Sequence, residues 1–209
     1  MRAELELELE RASDENGKDT TRELLADTVR LQRLVEDLLA IAVTDASTLD
    51  AGHREPVDLD EIVLAEARRV RAHTTLEVDT SQVSGAQLEV NADQFLRVVR
   101  NLLDNAASHA ESAVHVTLRE DDESIRLVVS DDGPGVPAED RERIFERFAR
   151  VDAARSRDNG GTGLGLAIVR EVIAAHGGTV TVDAPPGATF TVILPLDGTP
   201  TPPEIFRTN

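Results

Sequence analysis

Apolar positions along the chain change period several times, and each change marks an element. Leu24, Leu31 and Leu38 stand seven apart, and Leu34 and Ile41 fall three after the last two. That is a heptad seam with one polar gap at Asp27, and it predicts a helix over 22–42; an ordinary packed surface helix would show some of this pattern, but the sustained heptad favours a helical hairpin that pairs with another copy. Thr20 or Thr21 can cap its start, with Glu23 in the first turn. Upstream, residues 2–10 alternate Leu with Glu, a strand's period built from strong helix formers. They are read as helix because the 22–42 segment needs a helical partner, with 13–20 a polar turn. Residues 44–56 have the composition of a linker.

Beyond the linker the character changes. Residues 57–72 read as a short strand and then a helix. "TTLEVDT" and "AQLEVNA" are strand-like pieces around a turn, and a helix over 92–108 follows. "SAVHVTLRED" and "SIRLVVSDD" alternate as two strands of a hairpin that turns at 121–123. "PAEDRERIFERF" predicts a short helix with Pro137 near its start. A polar, Gly-rich loop over 149–163 leads into a helix over 164–176, which Gly177 and Gly178 end. "GTVTVDA" and "ATFTVILP" make a last pair of strands, and 197–209 is a loose Pro-rich tail. No internal repeat is visible. The expected class is α+β: a two-layer sandwich of a mixed, mostly antiparallel sheet and about three helices, preceded by a helical hairpin remnant.

Composition narrows the function. The chain has 209 residues and a net charge of −18, from 22 basic and 40 acidic side chains. A generic binder of nucleic-acid backbones carries the opposite sign, so direct nucleic-acid binding is disfavoured. Five Phe with no Trp or Tyr leave few platforms for base stacking. A phosphate ligand would have to be held locally, by a metal ion, backbone N–H groups or a few arginines. There is no cysteine, hence no disulfide or thiolate site. No apolar run reaches the roughly 18 residues of a membrane span, and no signal peptide is visible. The chain is therefore expected to be soluble and intracellular, with no membrane contact of its own.

Three stretches carry candidate chemistry. In "NLLDNAASHA", Leu102, Leu103, Ala106 and Ala107 mark a packed helix, and Asn101 and Asn105 share one face a turn apart. Their carbonyls could hold a cation or polar ligand; alone, they could equally be a solvated face. In "VVSDDGPGV", a strand runs into Asp131, Gly133 and Gly135. A carboxylate at the end of a buried strand needs a partner, and the exocyclic amine of a base would serve; the alternative is a plain turn. "NGGTGLGLAIV" is a Gly-rich loop opening a helix, where Gly161, Gly163 and Gly165 free backbone N–H groups for anionic oxygens. No strand leads into it, and it lacks the Lys-Ser/Thr ending of a P-loop.

"NLLDNAASH", "DDGPG", "IFERFAR" and "GTGLGL", in that order and followed by "HGGTVTV" and "GATFTVILP", resemble the N, G1, F and G2 boxes of the catalytic ATP-binding domain of bacterial sensor histidine kinases. That domain belongs to the ATPase group shared with gyrase and heat-shock chaperones, and its fold is of the Bergerat type. The resemblance covers roughly 56–196. Any one box is a weak signal; four in order are strong. It implies a chain divided into 1–43, part of a dimerisation hairpin; 44–56, a linker; 57–196, the catalytic domain; and 197–209, a tail.

The resemblance also implies roles. Asn105 would ligate Mg²⁺ with Asn101 assisting, since amide oxygens suit that hard cation. Asp131 would accept from the adenine amine, which favours ATP over GTP. Gly133 and Gly135 would let the chain pass under the base. Phe145 and Phe148 would anchor the base of a lid over 149–162. Arg150, with Arg155 or Arg157, would meet the distal phosphates. Gly161, Thr162, Gly163, Leu164 and Gly165 would line them, and His109 would edge the nucleotide or simply end its helix exposed. The implied chemistry transfers a phosphoryl group from Mg·ATP to a histidine, with Asn105 and Arg150 at the reacting end. The implied partners are ATP, a histidine-bearing dimerisation domain and a response regulator. The parent protein would be a homodimer, anchored in the membrane with this portion in the cytoplasm.

Two departures stand out. The family commonly has a basic residue three positions after the second asparagine, where this chain has Ser108. The acceptor stretch, His-Glu-x-x-x-Pro-like, is not found around His53, His73, His109, His115 or His176. The chain reads as a truncated piece that binds ATP, does not phosphorylate itself and can transfer in trans. An ATP-gated interaction module without catalysis would bind nucleotide and transfer nothing. An anti-sigma-type serine kinase would not need the leucine-seam helix.

Overall fold

The computed structural model describes residues 54–149, 163–183 and 186–196. The hairpin over 1–43, the linker to residue 53, most of the 149–163 loop and the tail lie outside the described residues. The first strand, β1 (Glu55–Asp58), already includes two positions whose composition reads as linker. It leads into helix α1 (Leu59–His73), whose Leu59, Val63, Ala67 and Val70 form one buried stripe. Strands β2 (Glu77–Val83) and β3 (Gln87–Val90) follow. Helix α2 (Ala92–His109) opens on Asn91, whose side chain accepts from the Gln94 N–H.

Strands β4 (Ala113–Glu120) and β5 (Ser124–Asp131) form the expected hairpin, with Val114 opposite Asp131 and Leu118 opposite Leu127. Asp121 closes its turn by accepting from the Glu123 and Ser124 N–H groups. Helix α3 (Gly165–Ala175) and strands β6 (Thr179–Asp183) and β7 (Thr189–Pro195) complete the described fold.

A five-stranded sheet runs in the order β2-β4-β5-β7-β6. Only β2 and β4 are parallel; the other pairs are antiparallel. β3 pairs with β1 in a separate antiparallel ribbon, so the two strand-like pieces around the 84–86 turn belong to different sheets. Val114, Val116, Leu127, Val129, Phe190 and Val192 alternate inward, as a sheet with one covered face requires. The three helices form the second layer. α2 lies in its middle, touching α1 on one flank and α3 on the other. The α+β sandwich expected from the sequence is the fold observed. No helix among the described residues is long and apolar enough to cross a membrane.

The 137–148 stretch differs from expectation. In place of a short α-helix it makes two 3₁₀ turns, Ala138–Asp140 and Arg143–Phe145. Its buried apolar residues, Ile144 and Phe145, are adjacent and give no stripe of helical period for a core to hold. Glu146 is already extended, which ends the second turn.

Candidate functional site

The last residue of β5 is the centre of the site. Asp131 is buried beside the apolar core. Its Oδ1 accepts from the Gly133 N–H at 3.0 Å and the Ala188 N–H at 3.4 Å. Its Oδ2 is buried with no hydrogen-bond partner. Burial pushes this carboxyl above the usual range, while the two N–H groups and nearby His109 pull it back only in part. A carboxylate oxygen left without a donor in a low-dielectric setting is costly, and a ligand N–H would relieve the cost.

Close backbone approach builds the surrounding wall. A Cβ on Gly133 would lie 2.2 Å from the His109 carbonyl oxygen, so α2 ends directly against this turn. A Cβ on Gly187 would lie 1.8 Å from the Asp131 carbonyl oxygen, and Gly187 has φ of +73°. Gly135 also has a positive φ. Asp132 points the other way. Its carboxylate accepts from the Glu111 and Ser112 N–H groups and the Ser112 hydroxyl, bonds that hold it well below the ordinary carboxylate range. The two neighbouring aspartates thus do opposite work: Asp132 closes the turn after α2, and Asp131 keeps one oxygen unused.

On α2, Asn101 and Asn105 lie on the flank that faces α3. Asn101 Oδ1 lies 3.0 Å from where a Cβ on Gly165 would sit, and its Nδ2 is buried without a partner. Asn105 is half-buried one turn on, its carbonyl accepting from the Ser108 hydroxyl. Ser108 and His109 are exposed at the helix end. Among the described residues no three His, Cys, Asp or Glu side chains converge as a metal cage. Amide oxygens are neutral donors of the kind a hard cation such as Mg²⁺ accepts, and two of them do not by themselves complete a cation site.

The F-box residues differ from one another. Phe145 is buried edge-on against Phe190, with ring centroids 6.3 Å apart. Phe148 is 61% exposed and has φ of +65°, a strained setting for a bulky residue. Its N–H donates to the Gly163 carbonyl at 2.8 Å. Leu164 is fully buried and Gly165 starts α3. The structure thus gathers Asn101, Gly163, Leu164 and Gly165 at the start of α3, and His109, Asp131 and Gly133 at the end of β5. Arg150, Arg155, Arg157, Gly161 and Thr162 lie outside the described residues.

Several residues that hold the site have no role among those the motifs imply. Glu66, buried on α1, accepts from Arg69 at 2.6 Å and from Arg100 at 2.9 Å, and Arg69 reaches Asp104 at 2.5 Å. Burial raises the Glu66 carboxyl, but the two arginines outweigh it and leave it below its ordinary value. His176, at the end of α3, bonds the Val172 carbonyl through Nδ1 at 2.8 Å and accepts from the Asn91 N–H through Nε2 at 3.4 Å. Gly187 and Ala188 brace Asp131 from 56 and 57 positions away in the sequence, a distance at which only a partner-strand assignment would have found them. A separate depression lined by Asp58, Asp60, Glu61 and Glu120 shares no residue with the site.

Comparisons with known proteins bear on this arrangement. The family described as Histidine kinase-, DNA gyrase B-, and HSP90-like ATPase matches residues 90–198. The signal transduction histidine-protein kinase/phosphatase MprB of Mycobacterium leprae is 38% identical over 210 residues, which cover 96% of this chain and 39% of that protein. The probable sensor histidine kinase TcrY of Mycobacterium tuberculosis is 41% identical over 184 residues, covering 83% of this chain and 37% of that one. The chain spans about two-fifths of the length of these curated relatives. Among solved structures, a mycobacterial sensor histidine kinase MprB aligns at 36% identity and a TM-score of 0.59, over 71% of this chain and 99% of that one. Full-length ShkA in complex with AMPPNP aligns at 28% identity and a TM-score of 0.69, over 89% and 40%. Matched over more than half its length, the chain belongs to the histidine kinase, DNA gyrase B and HSP90-like ATPase family.

Proposed function

We propose that this chain is the ATP-binding catalytic portion of a sensor histidine kinase, which passes the γ-phosphoryl group of Mg·ATP to a histidine on a dimerisation domain for relay to a response regulator. The observation that carries the reading is the buried, partnerless Oδ2 of Asp131. It is an acceptor waiting for a donor, as the exocyclic amine of adenine is, while Oδ1 is fixed by Gly133 and Ala188. Gly133 lets the chain turn tightly against the end of α2, where it would pass under the base. Asn101, Gly163 and Gly165 form the opposite, phosphate-facing end. Asn105, with Asn101, would hold Mg²⁺, which supplies neutralising charge to the distal phosphates when bound. Arg150, with Arg155 or Arg157, would add positive charge there. Catalysis of this kind is mostly positioning and electrostatics, so the chain's task is to fix the nucleotide and present its end.

In this reading 57–196 is the catalytic domain and 1–43 part of the dimerisation hairpin of a homodimeric parent anchored in a membrane, with this portion on the cytoplasmic side. Three of the four described histidines do not suit an acceptor role, and the fourth, His109, ends α2 beside Asp131 and Gly133 within the proposed site itself. His176 is buried, His73 bonds the Arg69 carbonyl of its own helix, and His115 stands on the sheet's open face beside Asp79. Transfer is therefore expected in trans. The chain is incubated with γ-labelled Mg·ATP and a separately supplied histidine hairpin of a related kinase. Acid-labile label on the hairpin histidine, and none when Asn105 is Asp, is the expected result. Nucleotide binding without transfer to any hairpin would favour an ATP-gated interaction module, and acid-stable label on a serine a serine kinase.

A further inference from the structure

Arg147 and Glu171 form an ion pair, Nε to Oε1 at 2.9 Å, between the segment after the second 3₁₀ turn and the middle of α3. The Glu171 side chain is three-quarters buried, and its Oε2 is buried without a hydrogen-bond partner. A half-satisfied buried carboxylate is a poor device for stability, because desolvation opposes the attraction. The neighbouring residue adds a second cost, since Phe148 holds φ of +65° with its ring in solvent. Both costs fall where the 147–148 dipeptide is attached at two points, one on α3 and one on the turn that leads into it. Arg147 grips Glu171, and the Phe148 N–H grips the Gly163 carbonyl. A Cβ on Gly163 would lie 2.9 Å from Phe148 Cα, so the second contact is backbone against backbone. Two attachments fix the rotation of the segment about the helix, where one would leave it free.

Two residues on from Gly163, Gly165 meets Asn101, and in the proposed site both glycines line the end that would take the phosphates. We infer that Arg147 and Glu171 are a positioning pair that holds the Gly163–Gly165 turn in register for the phosphates of a nucleotide, without touching the nucleotide themselves. The inference rests on the ATP-site reading and adds residues to it.

The test titrates the whole chain calorimetrically with Mg·ATP and with adenosine. It compares the wild type, Arg147→Gln, Glu171→Gln and the reversed pair Arg147→Glu/Glu171→Arg. Each single variant is expected to lose about fivefold in Mg·ATP affinity and to keep its adenosine affinity, and the reversed pair to return to within about twofold of wild type. Single variants that bind Mg·ATP normally would overturn the inference. So would equal losses for adenosine and ATP, which mark general damage to the fold. A reversed pair weaker than either single variant would mean that Arg147 meets the phosphates directly, and would overturn it as well. A wild type that binds neither ligand overturns the ATP-site reading along with the pair; a wild type that binds both, beside unaffected variants, overturns the pair alone.

Discussion

At the scale of single residues, the chemistry rests on two oxygens of one carboxylate having different surroundings. Asp131 Oδ1 is held by two backbone N–H groups and Oδ2 by none. Because burial raises this carboxyl above its unfolded value, its charged form costs the ligand-free fold stability as the pH rises through the folded value. A bound amine donor removes that cost, which links binding to stability. The geometry depends on Gly187. With φ of +73° and a Cβ position 1.8 Å from the Asp131 carbonyl oxygen, Gly187→Ala must displace either the turn or the end of β5. The variant is expected to lose about 1–3 kcal/mol in urea unfolding and most of its Mg·ATP affinity. Normal stability with normal affinity would show that the turn yields without moving Asp131. Asp131, Asn101 and the glycines at 133, 163 and 165 were legible because their motifs are local. Gly187 was not, since its role appears only when β7 pairs with β5 and brings residue 188 against residue 131.

At the scale of elements, α2 is held from both sides. The Glu66, Arg69, Arg100 and Asp104 cluster ties it to α1, on the flank away from the asparagines. His176 ties its N-terminal end to the C-terminal end of α3. Burial, more than the nearby Arg54 charge, holds His176 below its ordinary value, against a raising bond to the Val172 carbonyl. The unfolded chain takes up this proton near about pH 6.5. The folded protein resists it, so the His176 contribution is intact above that pH and is lost as the pH falls through the lower folded value. Thermal unfolding between pH 7.5 and pH 5.5 is expected to weaken more in the wild type than in His176→Asn; identical pH slopes would contradict the assignment. Helix and strand positions were readable because α2, β4 and β5 keep strict periods. The 137–148 segment was not, because two adjacent buried residues specify no period. The separation of β2 and β3 into two sheets was not either, since pairing partners leave no local trace.

At the scale of the whole molecule, a chain of net charge −18 is assigned a polyanionic ligand. The conflict is local and so is its resolution. One end of the site offers an acceptor carboxylate to a base. In the proposed reading the other offers backbone N–H groups at a helix start and two amide side chains, and Mg²⁺ with a few arginines would supply the cations. The two-layer fold sets the end of β5 against the end of α2 and the start of α3 against the middle of α2, with the sheet's polar face left to solvent. The four boxes and their order were legible in the sequence. What their residues touch was not, because contacts such as Asn101 with Gly165 and Phe148 with Gly163 join boxes far apart in the chain. An adenine-selective nucleotide site keyed by Asp131 can be checked by calorimetric titration with ATP and GTP in the presence of Mg²⁺, run on the wild type and Asp131→Asn. ATP is expected to bind, GTP to bind far more weakly because its carbonyl faces a carboxylate, and Asp131→Asn to weaken ATP by about 10–100-fold. Equal affinities for ATP and GTP, or an Asp131→Asn variant that binds ATP as the wild type does, would contradict it.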